Sequence, residues 1–332
     1  MPEQKIASIH DVARAAGVSI ATVSNVYNDK GRVSEDTRRR VRAVGSLLDY
    51  QPNALGKALR TGRARVIGVA VTYRHSAVWD KTYLPYFQSI IAGAALAAVE
   101  HGYSIAAAPT QPDGTLVTEL ALDGVIVVDP VPGELTVENL LARGLTVVTD
   151  GEYRVPNALD TLRTVSSDIG SGVAAMLEHL GSLVNPLVPG LFTGPRQDSY
   201  TEDTSQAFRT WCAKHDLDPV VATVAADQDP VVAAGAFLTG AGADVTAVHC
   251  LNETYCRALQ RAAQRLGRGP EALTLSVAGN AHSPTALDGV HYLDLDPVRT
   301  GAACAELLIA LLEGGTPTSQ VVRAELVPAR VR

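Results

Sequence analysis

The residues near the start of the chain whose types and spacing could do chemistry are hydroxyls, one amide and a cluster of arginines. Ser19, Thr22 and Ser24 precede Asn25, and Arg38, Arg39, Arg40 and Arg42 crowd a later segment. Hydroxyl and guanidinium groups donate to phosphate oxygens, and an Asn can bond bidentately to an adenine edge. The remainder offers no recognisable catalytic set. There is no G-x-x-x-x-G-K-[ST], no G-x-G-x-x-G after the first apolar run, no H-E-x-x-H and no G-x-S-x-G. The eight histidines are scattered, and His75, His101, His179, His215 and His282 read as loop or helix-end residues. Cys212, Cys250, Cys256 and Cys304 form no C-x-x-C pair and have no zinc-finger spacing, so they read as reduced, packed thiols. The chain is therefore expected to be no enzyme, and to hold no metal and no cofactor.

Charge separates the chain into two parts. Residues 1–65 carry twelve Lys and Arg against six Asp and Glu, a net +6, whereas the rest is −13. A basic head on an acidic body implies that the head alone meets a polyanion, although a solvated surface imbalance gives the same sum. A length of 332 residues suits two or three domains, and 46% hydrophobic residues support a core without disulfides. Aromatics are scarce at 5%. The N-terminal MPEQKIASIHD has no apolar signal region and no apolar run is long enough to span a bilayer, which predicts a cytoplasmic protein without membrane contact.

The elements that must position the head residues are legible from their punctuation. Ser8 stands three positions before Asp11, a capping-box pattern, and Ile9, Val12, Ala13 and Ala16 recur at helical spacing up to Gly17. Ser19 can cap a second helix over Ile20–Asn28, with Val23 and Val26 inward. After the turn Asn28–Gly31, Ser34 caps a third helix from Glu35 to about Leu48. Helix, short turn with Gly, helix is the helix-turn-helix geometry, whose second helix enters the major groove. On geometry alone a plain αα-hairpin fits as well.

Asp11-Val12-Ala13, Ala16-Gly17-Val18-Ser19, Thr22-Val23-Ser24, Val33-Ser34 with Thr37-Arg38 and Val41, and Tyr50-Gln51-Pro52-Asn53-Ala54-Leu55 resemble the head of the LacI family of regulators. The resemblance runs from Ile9 to Val71. It implies that Ile20, Ala21 and Asn25 read bases and that Ser19, Thr22 and Ser24 serve the DNA backbone or packing. Many relatives carry Arg where this chain has Asn25. It also implies a hinge helix over 53–59 that orders on the operator, with Leu55 and Leu59 directed to the minor groove. Gly56 stands where the family usually has Ala, which costs a helix about 1 kcal/mol. The expected partners are double-stranded, near-palindromic operator DNA, a second copy in a homodimer, and an effector.

From Arg65 the pattern alternates apolar runs with helical segments, beginning at Val66–Val71 and a helix from about Leu84 to His101. Such βα alternation predicts parallel sheets covered by helices. The expected fold is an all-α helix-turn-helix head followed by an α/β core of two Rossmann-like lobes, which the resemblance identifies as similar to periplasmic sugar-binding proteins. The expected division is 1–50 for the helix-turn-helix, 51–63 for the hinge and 64–332 for the core. The resemblance places about 64–165 and 295–318 in the lobe near DNA and about 166–294 in the far lobe.

The ligand motifs depart from those of sugar- and purine-sensing relatives. The gripping Arg is replaced by Thr204, the stacking aromatic by Pro230, and the Asp of G-[FY]-D by Ala281 in Gly279-Asn280-Ala281. Losing a guanidinium and a carboxylate removes strong bonds to polyols, so an ordinary sugar effector is disfavoured. The candidate effector residues are Tyr83, Phe87, Asp150, Arg196, Ser199, Thr204, Asp227, Asn252 and Asn280, each of which also suits a plain loop or capping role. Asp168 reads as a helix cap. The functional reading is a DNA-binding repressor modulated by a small molecule between the lobes. The alternatives are a core that binds a protein partner or has lost ligand response, and a solute-binding transport protein.

Overall fold

The computed structural model describes residues 7–51, 62–71, 77–153, 161–195, 198–269 and 271–329, with side chains from 85 onward in the segment that starts at 77. The chain divides into two compact units, Met1–Ala64 and Arg65–Arg332.

The first unit contains α1 (Ile9–Ala16), α2 (Ile20–Tyr27) and α3 (Glu35–Leu47). The caps set their limits. Ser8 and Asp11 form a reciprocal capping box, and Gly17 takes φ 65°, a left-handed turn that lets the Val18 N–H reach the Ala13 carbonyl at 3.0 Å. Ser19 and Ser34 cap α2 and α3 in the same manner, accepting from the N–H groups of Thr22 and Thr37. Val12, Val23, Val26 and Val41 are fully buried where the three helices meet, and Tyr27 meets Tyr50 edge-on at 5.2 Å.

The second unit holds two six-stranded sheets. The first has the order β11-β5-β4-β3-β1-β2, drawn from β1 (Val66–Val71), β2 (Ser104–Pro109), β3 (Gly124–Val128), β4 (Thr146–Asp150), β5 (Leu162–Ser167) and β11 (Gln320–Val322), all parallel. The second has the order β12-β10-β9-β8-β6-β7, from β6 (Pro189–Thr193), β7 (Val220–Thr223), β8 (Ala247–Cys250), β9 (Thr274–Gly279), β10 (His291–Asp294) and β12 (Glu325–Val327). Only β12 runs antiparallel, against β10. Helices α4 (Ala77–Glu100), α5 (Leu135–Ala142) and α10 (Pro297–Leu312) pack on the first sheet. Helices α6 (Ile169–Leu183), α7 (Ser199–Lys214), α8 (Pro230–Thr239) and α9 (Glu253–Arg265) pack on the second. β3 is an apolar run buried on both faces, as interior parallel strands require, and β8 is equally buried but carries His249.

Two differences from the sequence expectation bear on the cleft. The helix expected from about Leu84 begins at Ala77 and runs through Pro85, which removes one i→i−4 bond without ending it. In addition, the chain passes between the sheets three times: after β5, before α10 and between β11 and β12. The last passage gives each sheet an edge strand from residues 320–327, which the periodicity did not reveal.

The first lobe is closed by a close crossing of α4 and α10. A Cβ at Gly93 would lie 1.8 Å from the Val298 carbonyl oxygen, and one at Gly301 would lie 2.1 Å from that of Ile90. Backbone cannot yield as a flexible side chain can. Gly301→Ala should therefore destabilise the second unit by about 1–3 kcal/mol through overpacking. Urea unfolding of the full chain, followed by fluorescence of its two tryptophans, tests this, and an unchanged midpoint would remove the crossing as a constraint.

Candidate functional site

In the head, α2 presents its N-terminal turn to solvent. Ile20 is 42% exposed, an unusual position for a large aliphatic side chain, and Ala21 beside it is also exposed. Asn25 is half-buried one turn on, with its amide nitrogen against the Gly31 turn. Ser19 and Thr22 hydroxyls bond to each other at 2.9 Å while Ser19 caps the helix, and the half-buried Ser24 is reached by the Asn28 amide at its carbonyl. The arginines divide by role. Arg38 and Arg42 both hold Asp29, at 2.5 and 3.1 Å, so they fasten α3 to the turn after α2. Arg39 and Arg40 are exposed. The expected hinge residues Leu55 and Leu59 lie outside the described residues.

The core contains a cavity of about 270 Å³ at the carboxyl ends of the strands of both sheets. Open α/β sheets bind ligands at such ends. From the first lobe come Tyr86, Asp129, Asp150 and Ser166, and from the second Ser199, Asp203, Asn252, Glu253 and Asn280. Apolar walls are supplied by Pro85, Ile169, Leu251 and Leu295.

Four of the nine expected effector residues line this cavity: Asp150, Ser199, Asn252 and Asn280. Three expectations are corrected. Phe87 is 3% exposed and points into the core of the first lobe, because the register of α4 turns Tyr86 to the cavity instead. Thr204 is fully buried within α7 and does not line the cavity, while its neighbour Asp203 does. Asp227 is exposed in the β7–α8 loop, away from the cavity. Tyr83 and Arg196 carry no described side chains. Pro230 opens α8 and is not part of the lining, and Asp168 caps α6 through the Ser171 N–H. Tyr86, Asp129, Asp203 and Glu253 were missed. Asp129 follows the apolar run of β3 directly, which is the signal that could have found it.

The electrostatics of the cavity are dominated by carboxylates. Asp150 is 4% exposed, and its Oδ1 accepts from the Tyr86 hydroxyl at 3.3 Å. Burial first, and then the charge of Asp129, push the Asp150 carboxyl up to about 8, while the Tyr86 bond pulls it back. Burial likewise raises Glu253, which accepts the Asn280 N–H at 3.4 Å. Two buried polar atoms of the lining have no hydrogen-bond partner: Asp150 Oδ2 and Asn252 Nδ2. Tyr200 donates to the Leu251 carbonyl and stiffens the far wall.

A capped helix-turn-helix ahead of a two-lobed α/β core with a cleft at its strand ends defines a class, and comparison with known proteins shows what each part resembles. Residues 8–53 match the model of bacterial regulatory proteins of the lacI family, and residues 187–330 match the periplasmic binding protein-like domain. The head is thus similar to that of the LacI family, and the later part of the core to periplasmic binding proteins. The chain is 49% identical over 65 residues to the HTH-type transcriptional regulator RegA of Clostridium acetobutylicum, an alignment covering 20% of each chain. The portion aligned with such curated relatives is well under two thirds of their length. Its fold is similar to that of the Lac repressor dimer bound to operator and the anti-inducer ONPF, at TM-score 0.79 and 20% identity over 97% of this chain and 98% of that one. It also resembles the CelR–cellobiose complex, at TM-score 0.68 and 20% identity over the same shares. No helix among the described residues is long and apolar enough to cross a membrane.

The raised Asp150 carboxyl makes stability depend on pH. Its native value of about 8 lies above the ordinary 3.8, so the folded state binds more protons between these limits and stability falls as pH rises through the window. Melting temperatures of the full chain from pH 5 to pH 8.5 should decline more steeply than those of Asp150→Asn. Parallel profiles would show that Asp150 is ionised throughout. Tyr86→Phe should raise the Asp150 value further, read by carbon NMR of the carboxyl, because the lost bond favours the charged form.

Proposed function

We propose that the protein is a sequence-specific, DNA-binding repressor whose operator affinity is set by a small molecule held in the cleft of the core. The observation that carries this reading is the first turn of α2, capped by Ser19, with Ile20 and Ala21 exposed and Asn25 one turn on. A helix N-terminus so presented is the part of a helix-turn-helix that reaches base edges. Ile20 and Ala21 suit thymine methyls, and Asn25 suits adenine N6 and N7. The chain acts in the cytoplasm as a homodimer on a near-palindromic operator, with the linker over 51–63 and its Leu55 and Leu59 engaging the minor groove. The LacI-family head and the operator-bound Lac repressor dimer of like fold support this.

The core serves as the sensor. A cavity lined from both lobes lets a ligand favour one arrangement of the lobes over another, and effector and operator affinities are then linked reciprocally. The cellobiose-bound relative CelR supports a small organic ligand in this fold. Two unpartnered polar atoms in the lining favour a small molecule over a protein partner.

Selection of bound duplexes from a random library with purified protein tests the reading. An inverted repeat with a flexible central pyrimidine–purine step is the expected product. Asn25→Ala should relax preference at one base pair per half-site, by about 1–3 kcal/mol. Uniform weakening over all sequences would instead place Asn25 in a packing role against the Gly31 turn.

A further inference from the structure

Two buried polar atoms in the wall of the cleft have no hydrogen-bond partner within the protein: Asp150 Oδ2 from the first lobe and Asn252 Nδ2 from the second. Buried polar groups are nearly always bonded, so the kind of atom each one needs defines what fits between them. For Asn252 the answer is direct. Its Oδ1 caps α9 by accepting the Tyr255 N–H at 3.0 Å, which fixes the amide's orientation and leaves Nδ2, a donor, without an acceptor.

Asp150 is a donor too. It ends β4 at 4% exposure, and the backbone bond from the Asp129 N–H to its carbonyl, 2.7 Å long, sets a second acid beside it. The bond that its side chain receives is the long one from the Tyr86 hydroxyl to Oδ1, at 3.3 Å. The titratable groups facing it are Tyr86 from α4, Asp129 after β3 and the Cys304 thiol from α10; Glu152 follows in its own loop, and Asp203, Glu253 and Arg257 line the cavity from the second lobe. None of the groups that act on the carboxyl is a cation. A buried acid so placed keeps its proton, and burial with the charge of Asp129 holds the group at about 8. Because Oδ1 already receives the Tyr86 hydrogen, the proton of Asp150 sits on Oδ2, the atom without a partner. Both orphans are therefore donors.

We propose that the effector is a neutral carbonyl compound, such as an amide or a lactone, whose oxygens accept from the acid group of Asp150 and from the amide of Asn252. This rests on the reading of the cleft as the effector site and names its ligand class. A carbonyl oxygen has two lone pairs and no hydrogen of its own, which is what two facing donors require. A hydroxyl brings a proton that neither orphan can take, and an ammonium group offers no lone pair at all. A carboxylate accepts, but it would surrender its hydration to lie against two buried acids. The apolar walls of Pro85, Leu251 and Leu295 suit the body of a small uncharged molecule.

Calorimetry on the full chain, without DNA, tests the assignment on two molecular frames: N-acetylglucosamine, glucosamine and glucuronate, and cyclohexanecarboxamide, cyclohexylmethylamine and cyclohexanecarboxylate. At pH 6.5 at least one of the two amides should bind about tenfold more tightly than both of its charged counterparts. Its affinity should then fall about tenfold by pH 9 as Asp150 ionises, and at pH 9 binding should take up close to one proton, read from titrations in Tris and in Bicine. Asp150→Asn keeps an N–H donor in place of the acid hydroxyl, so it should erase both the fall and the uptake. Were Asp150 a carboxylate accepting from the ligand, the same substitution would weaken binding at every pH. The proton uptake of the unaltered chain keeps the test valid should the variant fold poorly. Preference for a charged member, affinity independent of pH, proton release, or no binding by either amide would each overturn the proposal. A charged member that binds would do so while leaving the cleft a small-molecule site, and loss of operator recognition in the selection experiment would unseat the regulator reading alone.

Discussion

A contact between two backbones holds the cleft in register. α4 and α10 approach so closely at Gly93 and Gly301 that carbonyl oxygens of each helix occupy the space where the other would carry a Cβ. α4 brings Pro85, Tyr86 and Ser89 to the cavity about two turns before this contact, and α10 brings Pro297 one turn before it. The packed face continues through Ile90, Ala94, Cys304 and Leu308 into the apolar underside of β1 and β3. Because interiors pack as densely as organic crystals, a displacement at the glycines would be felt at Tyr86 and through its hydroxyl at Asp150.

This dependence explains how a carboxyl group survives in a buried wall. Asp150 ends β4, one of the interior strands of the first sheet, so its depth is fixed by parallel pairing on both sides rather than by its own solvation. The neighbouring strand β3 delivers Asp129 in the left-handed region at φ 52°, and the Asp129 N–H donates to the Asp150 carbonyl at 2.7 Å. The backbone thus sets two acids side by side, and their chemistry follows from that placement. A loop scaffold would have let them separate; two strand ends do not.

What the sequence made legible follows the strength of local signals. The head could be read nearly to the residue because every helix there is punctuated by a side-chain cap or a left-handed glycine. The interior strand β1 is legible as a continuous apolar run. The edge strands β7, β11 and β12 were not, since three or four residues with exposed or half-buried positions carry no periodicity. In the cleft, residues at strand ends such as Asp150 and Asn252 could be named, because a strand fixes where its last residue lies. Residues on helices were harder. α4 begins at Ala77, ahead of the expected start near Leu84, and a shift of one position exchanges the cavity-facing Tyr86 for the core-facing Phe87.

The three passages between the sheets also order events in time. The second sheet owes every strand but β12 to a continuous stretch between residues 189 and 294, whereas the first lobe needs α10 and β11 from beyond residue 297. A chain emerging from the ribosome amino end first can assemble most of the later lobe while the earlier one still lacks the helix that fills it. During that interval the faces of α4, β3 and β4 that await α10 are apolar and uncovered. The lobe synthesised first is thus completed last, and the growing chain depends longest on whatever shields those faces in the cell.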